Sequence, residues 1–375
     1  MKHCRPMQMP EPDPVFVRAS VEDHCNLACV YCPKQQGMEN HVPDKLRGKR
    51  LTVEEYLINL SHLSQNGLRG VAFTGGEPTL NRDLPKLISG AAKIFDRVEL
   101  TTNGRFILEM FPAISPHIDH LKVSLDAVEP NVVSYITKGT KFEVERALNA
   151  VRVGCAAGIR VSVNVVVMRS TLNQIDRIIE LCRSVNREGS SGSVSVSLLD
   201  LYFSEECRSF WEKEFYSLHD LENKFTARYG KNIAQERFGC RFFWYDADGV
   251  YVRFKDSYGA TYRAPKCHKC KNYCQEGVYG IKHSVEGWVT TCPSSDPTLG
   301  VYLSPGLSSE EVDRKLAPIL KDLQIATPKL NSFGVMLEAR SLSPVMATKP
   351  CSLEPDPICS DSHEKRYPDY RLERK

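Results

Sequence analysis

Short apolar segments recur along the first two thirds of the chain and alternate with longer segments in which apolar residues recur every three or four positions. The short segments are rich in Val, Leu and Ile, which predicts β-strands. We place these strands at 15–20, 70–74, 97–101, 121–125, 161–167 and 194–199. Several of them are apolar nearly throughout, as expected when both faces of a sheet are covered.

The longer segments predict helices. One begins at Thr52, where Glu55 three residues later predicts a capping box, and ends near Gly67. Others are expected at about 142–155 and 172–185. Strand–helix units of about 30 residues predict a parallel α/β sheet with right-handed crossovers. Six such units predict a partial (βα)6 barrel of the TIM type, in which chemistry lies at the carboxyl ends of the strands.

The composition changes along the chain and predicts four parts. Residues 1–14 form a polar, proline-rich tail, and 15–204 form the core barrel. Residues 205–340 form a smaller, cysteine-rich module, which begins with a polar, aromatic-rich helical stretch. Residues 341–375 are rich in proline and polar side chains, which predicts an irregular tail.

Overall charge and cysteine usage limit the classes of function. The chain has 375 residues and a formal net charge of only +3, which argues against a dedicated nucleic-acid binder. We expect the basic run at 45–50 to be a solvated loop. The sequence has no uninterrupted apolar run long enough for a membrane span and no secretory signal at its start. Its 14 cysteines cluster at metal-ligand spacings, so we expect reduced thiols in the cytoplasm or in the reducing interior of an organelle.

Three cysteines directly after the first predicted strand carry the main chemical signal. Cys25, Cys29 and Cys32 have the spacing C-x3-C-x2-C and supply three thiolates from one short loop. Thiolates are soft ligands that suit iron–sulfur clusters. A four-iron cluster held by three cysteines leaves one iron open to a small molecule. The alternative is a structural zinc site whose fourth ligand is His24, Cys4 or a later cysteine.

Five further motifs follow in order. The chain reads Val-Arg-Ala-Ser before the cysteine loop, and then, at the ends of predicted strands, it reads TGGEP (74–78), TTNG (101–104), VSLD (123–126) and NVVVM (164–168). On these motifs the sequence from about 15 to 320 resembles the radical S-adenosylmethionine (SAM) superfamily. Within that superfamily it looks most like the GTP 3′,8-cyclase group of molybdenum-cofactor biosynthesis.

The resemblance implies an enzyme in which SAM binds the open iron of a [4Fe–4S] cluster. One electron then cleaves SAM to a 5′-deoxyadenosyl radical, which removes hydrogen from a small-molecule substrate. The electron is expected from a low-potential donor such as flavodoxin or ferredoxin. The implied contacts with SAM are Tyr31, Gly75, Gly76, Glu77, Ser124 and Asn164, and the implied substrate contacts are Arg18 and Thr101. No catalytic residue is assigned beyond the cluster.

A second group of cysteines lies in the smaller module. Cys267, Cys270 and Cys274 precede Cys292, which follows a short turn at 286–287. In the family that the chain resembles, cysteines in this region hold a second, auxiliary [4Fe–4S] cluster. Whether three or all four of them bind iron stays open, and a zinc knuckle is the alternative.

The chain departs from the cyclase pattern at positions that hold cations in that group. It has Ala72 and Ser162 where an arginine and a lysine are expected, and Gly280 and Lys282 where an arginine pair is expected. We therefore expect a small substrate without a triphosphate. The alternatives are GTP cyclisation with the phosphates held by other groups, a peptide-modifying maturase, and a non-catalytic iron–sulfur or zinc protein. The other groups considered are Lys266, Lys269 and Lys271.

Overall fold

The computed structural model describes residues 16–33, 42–188, 192–238, 240–257, 264–268, 278, 280–292 and 296–326. Both predicted tails, residues 1–14 and 341–375, lie outside the described residues. None of the helices in the described part of the chain is both long enough and apolar enough to cross a membrane.

Six strand–helix units build the centre of the fold, as predicted. Their strands are β1 (Phe16–Glu22), β2 (Gly70–Gly75), β3 (Arg97–Thr102), β4 (His120–Ser124), β5 (Arg160–Val167) and β6 (Val194–Asp200). The helices between and after them are α1 (Val53–Gln65), α2 (Leu84–Ala91), α3 (Ile107–Ile114), α4 (Pro130–Thr137), α5 (Glu143–Ala156) and α6 (Ile175–Arg187). Each of these strands pairs in parallel with the next one along the chain.

Later residues extend the same sheet at both edges. These elements are α7 (Arg208–Glu214), α8 (Leu218–Tyr229), β7 (Ala234–Phe238), β8 (Cys240–Asp246), β9 (Tyr251–Asp256), β10 (Ile281–His283), β11 (Trp288–Thr290), β12 (Gly300–Tyr302) and α9 (Ser309–Ala326). The strand order is β12-β11-β10-β1-β2-β3-β4-β5-β6-β9-β8-β7. Strands β10 and β9 are parallel to β1 and β6, and the outer strands are antiparallel. The fold is therefore an open α/β sheet, and the division of the chain at residue 204 stays a prediction.

The capping box of the first helix is confirmed. Thr52 Oγ1 accepts a hydrogen bond of 3.2 Å from the backbone N–H of Glu55, and Glu55 Oε2 accepts one of 2.8 Å from that of Thr52. These two bonds satisfy backbone donors that the first turn of a helix leaves unpaired. The helix ends at Gln65, and Gly67 follows it with φ of 94°.

The connecting helices lie on one side of the sheet. Strands β1 to β6 follow one another in space as they do in sequence, so right-handed crossovers place every connecting helix on the same side. Side chains on that side are apolar and almost fully buried, as Val98, Leu100 and Val163 illustrate. Because side chains alternate along a strand, the intervening positions lie on the opposite face.

That opposite face is polar, and we call it the polar face. On the eight parallel strands its polar members are Arg18, Ser20, Thr74, Arg97, Glu99, Thr101, His120, Lys122, Ser124, Arg160, Ser162, Asn164, Ser195, Ser197, Arg253, Lys255 and Lys282. Ala72 lies on the same face, in register between Arg18 and Glu99.

Candidate functional site

The cysteine loop (residues 25–32) follows β1 at the edge where the parallel strands have their carboxyl ends. It lies against α4, because Ala28 N donates to Thr137 O at 3.0 Å and Val30 N donates to Ile136 O at 2.9 Å. Within the loop, Cys32 N donates to Cys29 O at 3.0 Å. The loop is thus held by backbone contacts to an element about 110 residues further along the chain.

The three thiols of this loop influence one another. Burial, followed by the nearby charges of Asp126, Cys32 and Cys25, raises the pKa of Cys29. Three thiolates from one loop suit an iron–sulfur cluster or, with a fourth ligand, a zinc ion. The choice between the two stays a prediction.

The glycine pair after β2 lies against the residues that precede Cys25. Gly76 N donates to Glu22 O at 2.6 Å, and Glu77 N donates to His24 O at 2.8 Å. A Cβ atom on Gly75 would lie 2.1 Å from Glu22 O, and one on Gly76 would lie 2.1 Å from His24 O. Only glycine permits this approach of two backbones, so the turn and the cysteine loop are one structural unit.

Glu77 is almost fully buried beneath this unit, and both of its oxygens accept hydrogen bonds. Oε1 accepts from the backbone and hydroxyl of Thr79 and from the hydroxyl of Thr102, and Oε2 accepts from Asn103 N at 2.7 Å. Burial raises the pKa of Glu77. Asn103 in turn reaches Asn26 Oδ1 at 3.0 Å and Cys25 Sγ at 3.9 Å. Glu77 thus positions Asn103 against the cysteine loop, and its contact with SAM stays a prediction.

Tyr31 and Ser124, two more of the expected SAM contacts, lie at the same edge. The hydroxyl of Tyr31 donates to Asp126 Oδ2 at 2.7 Å, and Asp126 Oδ1 accepts from Val166 N at 2.8 Å. Burial raises the pKa of Asp126 to about 6. Ser124 is paired in register with Asn164. The role of Tyr31 beside an adenine stays a prediction.

Two buried polar atoms at this edge are suited to a ligand. Among the residues that the structure describes, Asn164 Oδ1 and Ser20 Oγ are buried and have no hydrogen-bond partner. Such atoms are rare in folded proteins, because each one costs about 1–3 kcal/mol unless something pairs with it. Both atoms belong to the polar face, and Ser20 adjoins the glycine turn.

Arg50 is a functional candidate that sequence reasoning missed. Its guanidinium donates to Glu22 Oε1 at 3.2 Å, Asp23 Oδ1 at 3.1 Å and Val21 O at 3.2 Å. Burial would raise the pKa of Glu22, but hydrogen bonds led by that from Arg50 lower it to about 2. Most of the run at 45–50 is exposed, as expected for a solvated loop, and Arg50 within it fixes the end of β1 before Cys25. Glu22, Asp23 and His24 are grouped closely enough to bind a cation, and Arg50 compensates their charge.

Cations outnumber carboxylates among the described strand positions of the polar face. Its described strand positions hold seven cations (Arg18, Arg97, Lys122, Arg160, Arg253, Lys255 and Lys282) and one carboxylate, Glu99, with Glu22 lying beyond the bulge at the end of β1. The two implied substrate contacts, Arg18 and Thr101, both lie on this face.

Glu99 is the centre of the charge network on the polar face. It is completely buried and contacts Arg97 at 2.6 Å, Lys122, and His120 Nδ1 at 3.3 Å. Burial would raise the pKa of Glu99, but these neighbours hold it well below its usual range. Burial lowers the pKa of His120 to about 4, so the ring is neutral, and its Nε2 lies 2.6 Å from Ser162 Oγ. Neither member of this network stood out in the sequence.

The described part of the second cysteine group brings two of its members into one region. Lys266 Nζ donates to Thr291 Oγ1 at 3.0 Å and so joins the turn that contains Cys267 to the strand end that precedes Cys292. Both cysteines are half-buried and free of disulfides. Cys270 and Cys274 lie outside the described residues.

Comparison with known proteins adds a family match to this geometry. Residues 20–182 match the model of the radical SAM superfamily. A probable GTP 3′,8-cyclase of Archaeoglobus fulgidus is 28% identical over 214 residues, which are 56% of this chain and 67% of the relative. A probable GTP 3′,8-cyclase of Methanococcus aeolicus is 24% identical over 305 residues, or 80% of this chain and 91% of the relative. The match to the GTP 3′,8-cyclase of Limosilactobacillus fermentum, at 30% identity, spans 46% of that protein.

Solved structures with a similar fold include SuiB from Streptococcus suis. The crystal structure of SuiB bound to its precursor peptide SuiA aligns with a TM-score of 0.55 at 13% identity and covers 85% of this chain and 67% of SuiB. SuiB without the peptide aligns with a TM-score of 0.52 at 13% identity and covers 74% and 60%. At this level of identity the likeness concerns the fold alone.

Proposed function

We propose that the chain is a radical SAM enzyme, which binds SAM at a [4Fe–4S] cluster and abstracts hydrogen from a polyanionic nucleotide, with GTP as the first candidate. The cluster ligands are Cys25, Cys29 and Cys32. The observation that carries the substrate assignment is the polar face, with seven cations against one buried carboxylate among its described strand positions.

The residues around the cysteine loop suit the cluster and SAM. When bound, the cluster supplies the electron that cleaves SAM to methionine and a 5′-deoxyadenosyl radical. Three thiols from one loop hold it and leave one iron for SAM. Glu77 acts through Asn103, and Tyr31 acts through Asp126, to keep the loop in place. Asn164 Oδ1 is a buried acceptor suited to a donor group of SAM.

The polar face suits the substrate because of its charge. Phosphate oxygens make strong charge-assisted hydrogen bonds to arginine and lysine, and this face offers seven such side chains. The face runs up to the carboxyl-end edge, where Ser124, Asn164, Ser197 and Arg253 are in register across four adjacent strands.

The names of the curated relatives agree with GTP. The relatives from Archaeoglobus fulgidus and Methanococcus aeolicus are both named probable GTP 3′,8-cyclases. Cations expected at Ala72 and Ser162 are missing, but Lys122, Arg160 and Lys282 lie on the same face and are suited to replace them. If these cations replace the missing ones, the positive charge of the polar face is kept, and only the positions at which side chains contact the phosphates change.

A second candidate is a smaller substrate without a triphosphate, which our sequence analysis favoured. The observation in its favour is that Ala72 and Ser162 do lie on the polar face, where a cation would otherwise reach the substrate. A peptide substrate has no comparable support, because the likeness to SuiB extends to the fold alone.

We also propose a second iron–sulfur cluster held by Cys267, Cys292 and one or both of Cys270 and Cys274. The link between Lys266 and Thr291 supports a common site for the first two cysteines. With two four-iron clusters the chain would hold about eight irons.

The test is anaerobic incubation of the iron-loaded protein with SAM, dithionite and either GTP or guanosine. We expect 5′-deoxyadenosine and a cyclised nucleotide with GTP, and at most a tenth of that rate with guanosine, because guanosine lacks the charges that the cations contact. The variant Cys29→Ala should abolish SAM cleavage. The control variant Cys182→Ala, at a buried cysteine outside the loop, should keep it. Equal rates with GTP and guanosine would overturn the polyanion assignment and favour the second candidate.

A further inference from the structure

Two segments border the cysteine loop on its outer side. Asn103 contacts Asn26 and Cys25 from the partly exposed segment 103–106. The largely exposed segment 135–142 pairs with Ala28 and Val30 through its backbone, and a Cβ on Gly139 would lie 2.8 Å from the Leu27 side chain. Between them the start of the loop is itself exposed, at His24, Cys25, Asn26 and Ala28.

In these two segments three cations lie over aromatic rings. We call the six residues the cation–aromatic rim: Arg105, Phe106, Tyr135, Lys138, Lys141 and Phe142. The guanidinium of Arg105 lies 5.2 Å from the ring of Phe106. Lys138 lies 4.9 Å from the ring of Tyr135, and Lys141 lies 5.5 Å from that of Phe142. Tyr135 is 42% exposed and Phe142 is 51% exposed, both large values for an aromatic side chain. Exposed aromatic residues beside cations are typical of protein interfaces.

The charge of the rim has one sign. The segments 24–28, 103–106 and 135–142 contain three Lys or Arg residues and no Asp or Glu. The nearest acidic residues in sequence, Asp23 and Glu143, are paired with Arg50 and Arg146. The surface beside Cys25 is therefore complementary to an acidic protein surface, and such complementarity raises the rate of encounter and fixes orientation.

We propose that the cation–aromatic rim is the docking site of an acidic, low-potential one-electron carrier protein of the flavodoxin type. This inference rests on the proposed function, which requires an electron to reach the cluster. In the docked complex one electron leaves the reduced carrier and enters the cluster, so that the carrier is oxidised and the cluster reduced by one electron, and no bond is formed or broken. The rim is suited to this step because it surrounds an exposed part of the loop that holds the cluster. Electron-transfer complexes of this kind have small interfaces, for which three cation–aromatic pairs are an adequate centre.

The test compares two double charge reversals in the iron-loaded protein. Lys138→Glu with Lys141→Glu changes the rim, and Lys93→Glu with Lys213→Glu is the matched control at exposed positions elsewhere. Calorimetry measures the Kd for an acidic flavodoxin at low and high salt. We expect the rim variant to bind about tenfold more weakly at low salt or worse, with a reduced salt dependence, and the control to bind as the unaltered protein does.

Turnover with two reductants separates docking from chemistry. SAM cleavage driven by reduced flavodoxin should need a correspondingly higher flavodoxin concentration in the rim variant, whereas cleavage driven by dithionite should stay within about twofold. The proposal would be overturned if the rim variant bound flavodoxin as tightly as the unaltered protein does. It would also be overturned if the rim bound a short RNA duplex in place of flavodoxin. If dithionite gave no SAM cleavage in the unaltered protein, the proposed function would fail, and the binding measurement would still decide what the rim recognises.

Discussion

The hydroxyl of Tyr31, between two cysteines of the loop, donates a 2.7 Å hydrogen bond to the buried carboxylate of Asp126. Asp126 in turn accepts from the backbone of Val166, so a side chain in the first loop is tied to the ends of β4 and β5. Tyr31 also packs against a small apolar cluster that includes Ile136 and Met168. The cysteine loop therefore depends on two strands that are distant from it in sequence.

Removing this hydrogen bond should loosen the iron site. In Tyr31→Phe the ring remains but Asp126 loses a donor, at a cost of about 1.5–3 kcal/mol. We expect the iron-loaded variant to lose iron to a chelator several times faster than the unaltered protein. Tyr135→Phe, at an exposed tyrosine, is the control and should lose iron at the original rate. Equal rates in all three proteins would contradict the proposed role of Tyr31.

The glycine turn should tolerate no side chain. In Gly76→Ala the new Cβ would meet His24 O at 2.1 Å, so the backbone next to Cys25 must move. We expect SAM affinity, measured by the change that SAM produces in the spectrum of the reduced cluster, to fall at least tenfold. Gly249→Ala is the control, because that site has φ of 87° but open space around it. It should lower stability by about 1 kcal/mol and leave SAM affinity unchanged. A Gly76→Ala protein with normal SAM affinity would sink this account.

Lowering the pH should destabilise the fold through His283. Its burial lowers the pKa from 6.5 to about 3, and its Nε2 faces Asn59 Nδ2 at 3.3 Å. The unfolded chain binds a proton near pH 6.5 that the folded chain accepts only near pH 3, so stability is lost as the pH falls through this interval. Between pH 7 and 5 the loss from this one group should be about 2 kcal/mol.

Urea unfolding at several pH values checks this expectation. His283→Leu should show a flatter decline of stability from pH 7 to 5 than the unaltered chain. His219→Leu, at a largely exposed histidine, should show the original decline. If the His283 variant lost stability with pH as steeply as the unaltered chain, the histidine would not be neutral in the folded state.

A cation of the polar face should be needed for the nucleotide. Arg253 lies in register with Ser197 near the carboxyl-end edge and donates to its hydroxyl at 3.1 Å. Arg253→Gln would remove a charge-assisted bond to phosphate, worth about 1.5–3 kcal/mol, or roughly 10- to 150-fold in KM for GTP. The exposed Arg152→Gln should leave KM unchanged. An unchanged KM in the Arg253 variant would remove this residue from the substrate site.

The second cluster predicts a change in iron content. Cys292→Ser should lower the iron of the loaded protein by about four per chain and leave the spectrum of the SAM-binding cluster intact. Cys207→Ser, at a cysteine without ligand spacing, should keep the full content. Loss of zinc in place of iron from the Cys292 variant would show that the second site is a zinc knuckle.

The sequence was a good guide to the positions of the strands. All six central strands and the α1 capping box are where the pattern places them. The polar face is visible in the sequence of β3, where Arg97, Val98, Glu99 and Leu100 alternate with a period of two. The short strands β10 to β12 were missed, because three residues are too few for a periodic signal.

Local spacing located the site, whereas its supporting contacts are long-range. The cysteine triad and the glycine pair are readable because each is compact in sequence. Arg50 lies 28 residues from Glu22, and Asp126 lies 95 residues from Tyr31, so no local pattern joins either pair. Such contacts become visible only when parallel strands bring their carboxyl ends together.

The alternation of side chains along the central strands separates two kinds of evolutionary constraint. Side chains such as Val98 and Leu100 must pack against the helices, whereas neighbours such as Arg97 and Ser162 lie on the other face and do not. During evolution the residues of the polar face, and with them the substrate, can therefore change while the fold is retained. Insertion of a single residue within one of these strands would have the opposite effect. It would turn charged side chains into the apolar layer and apolar side chains onto the polar face.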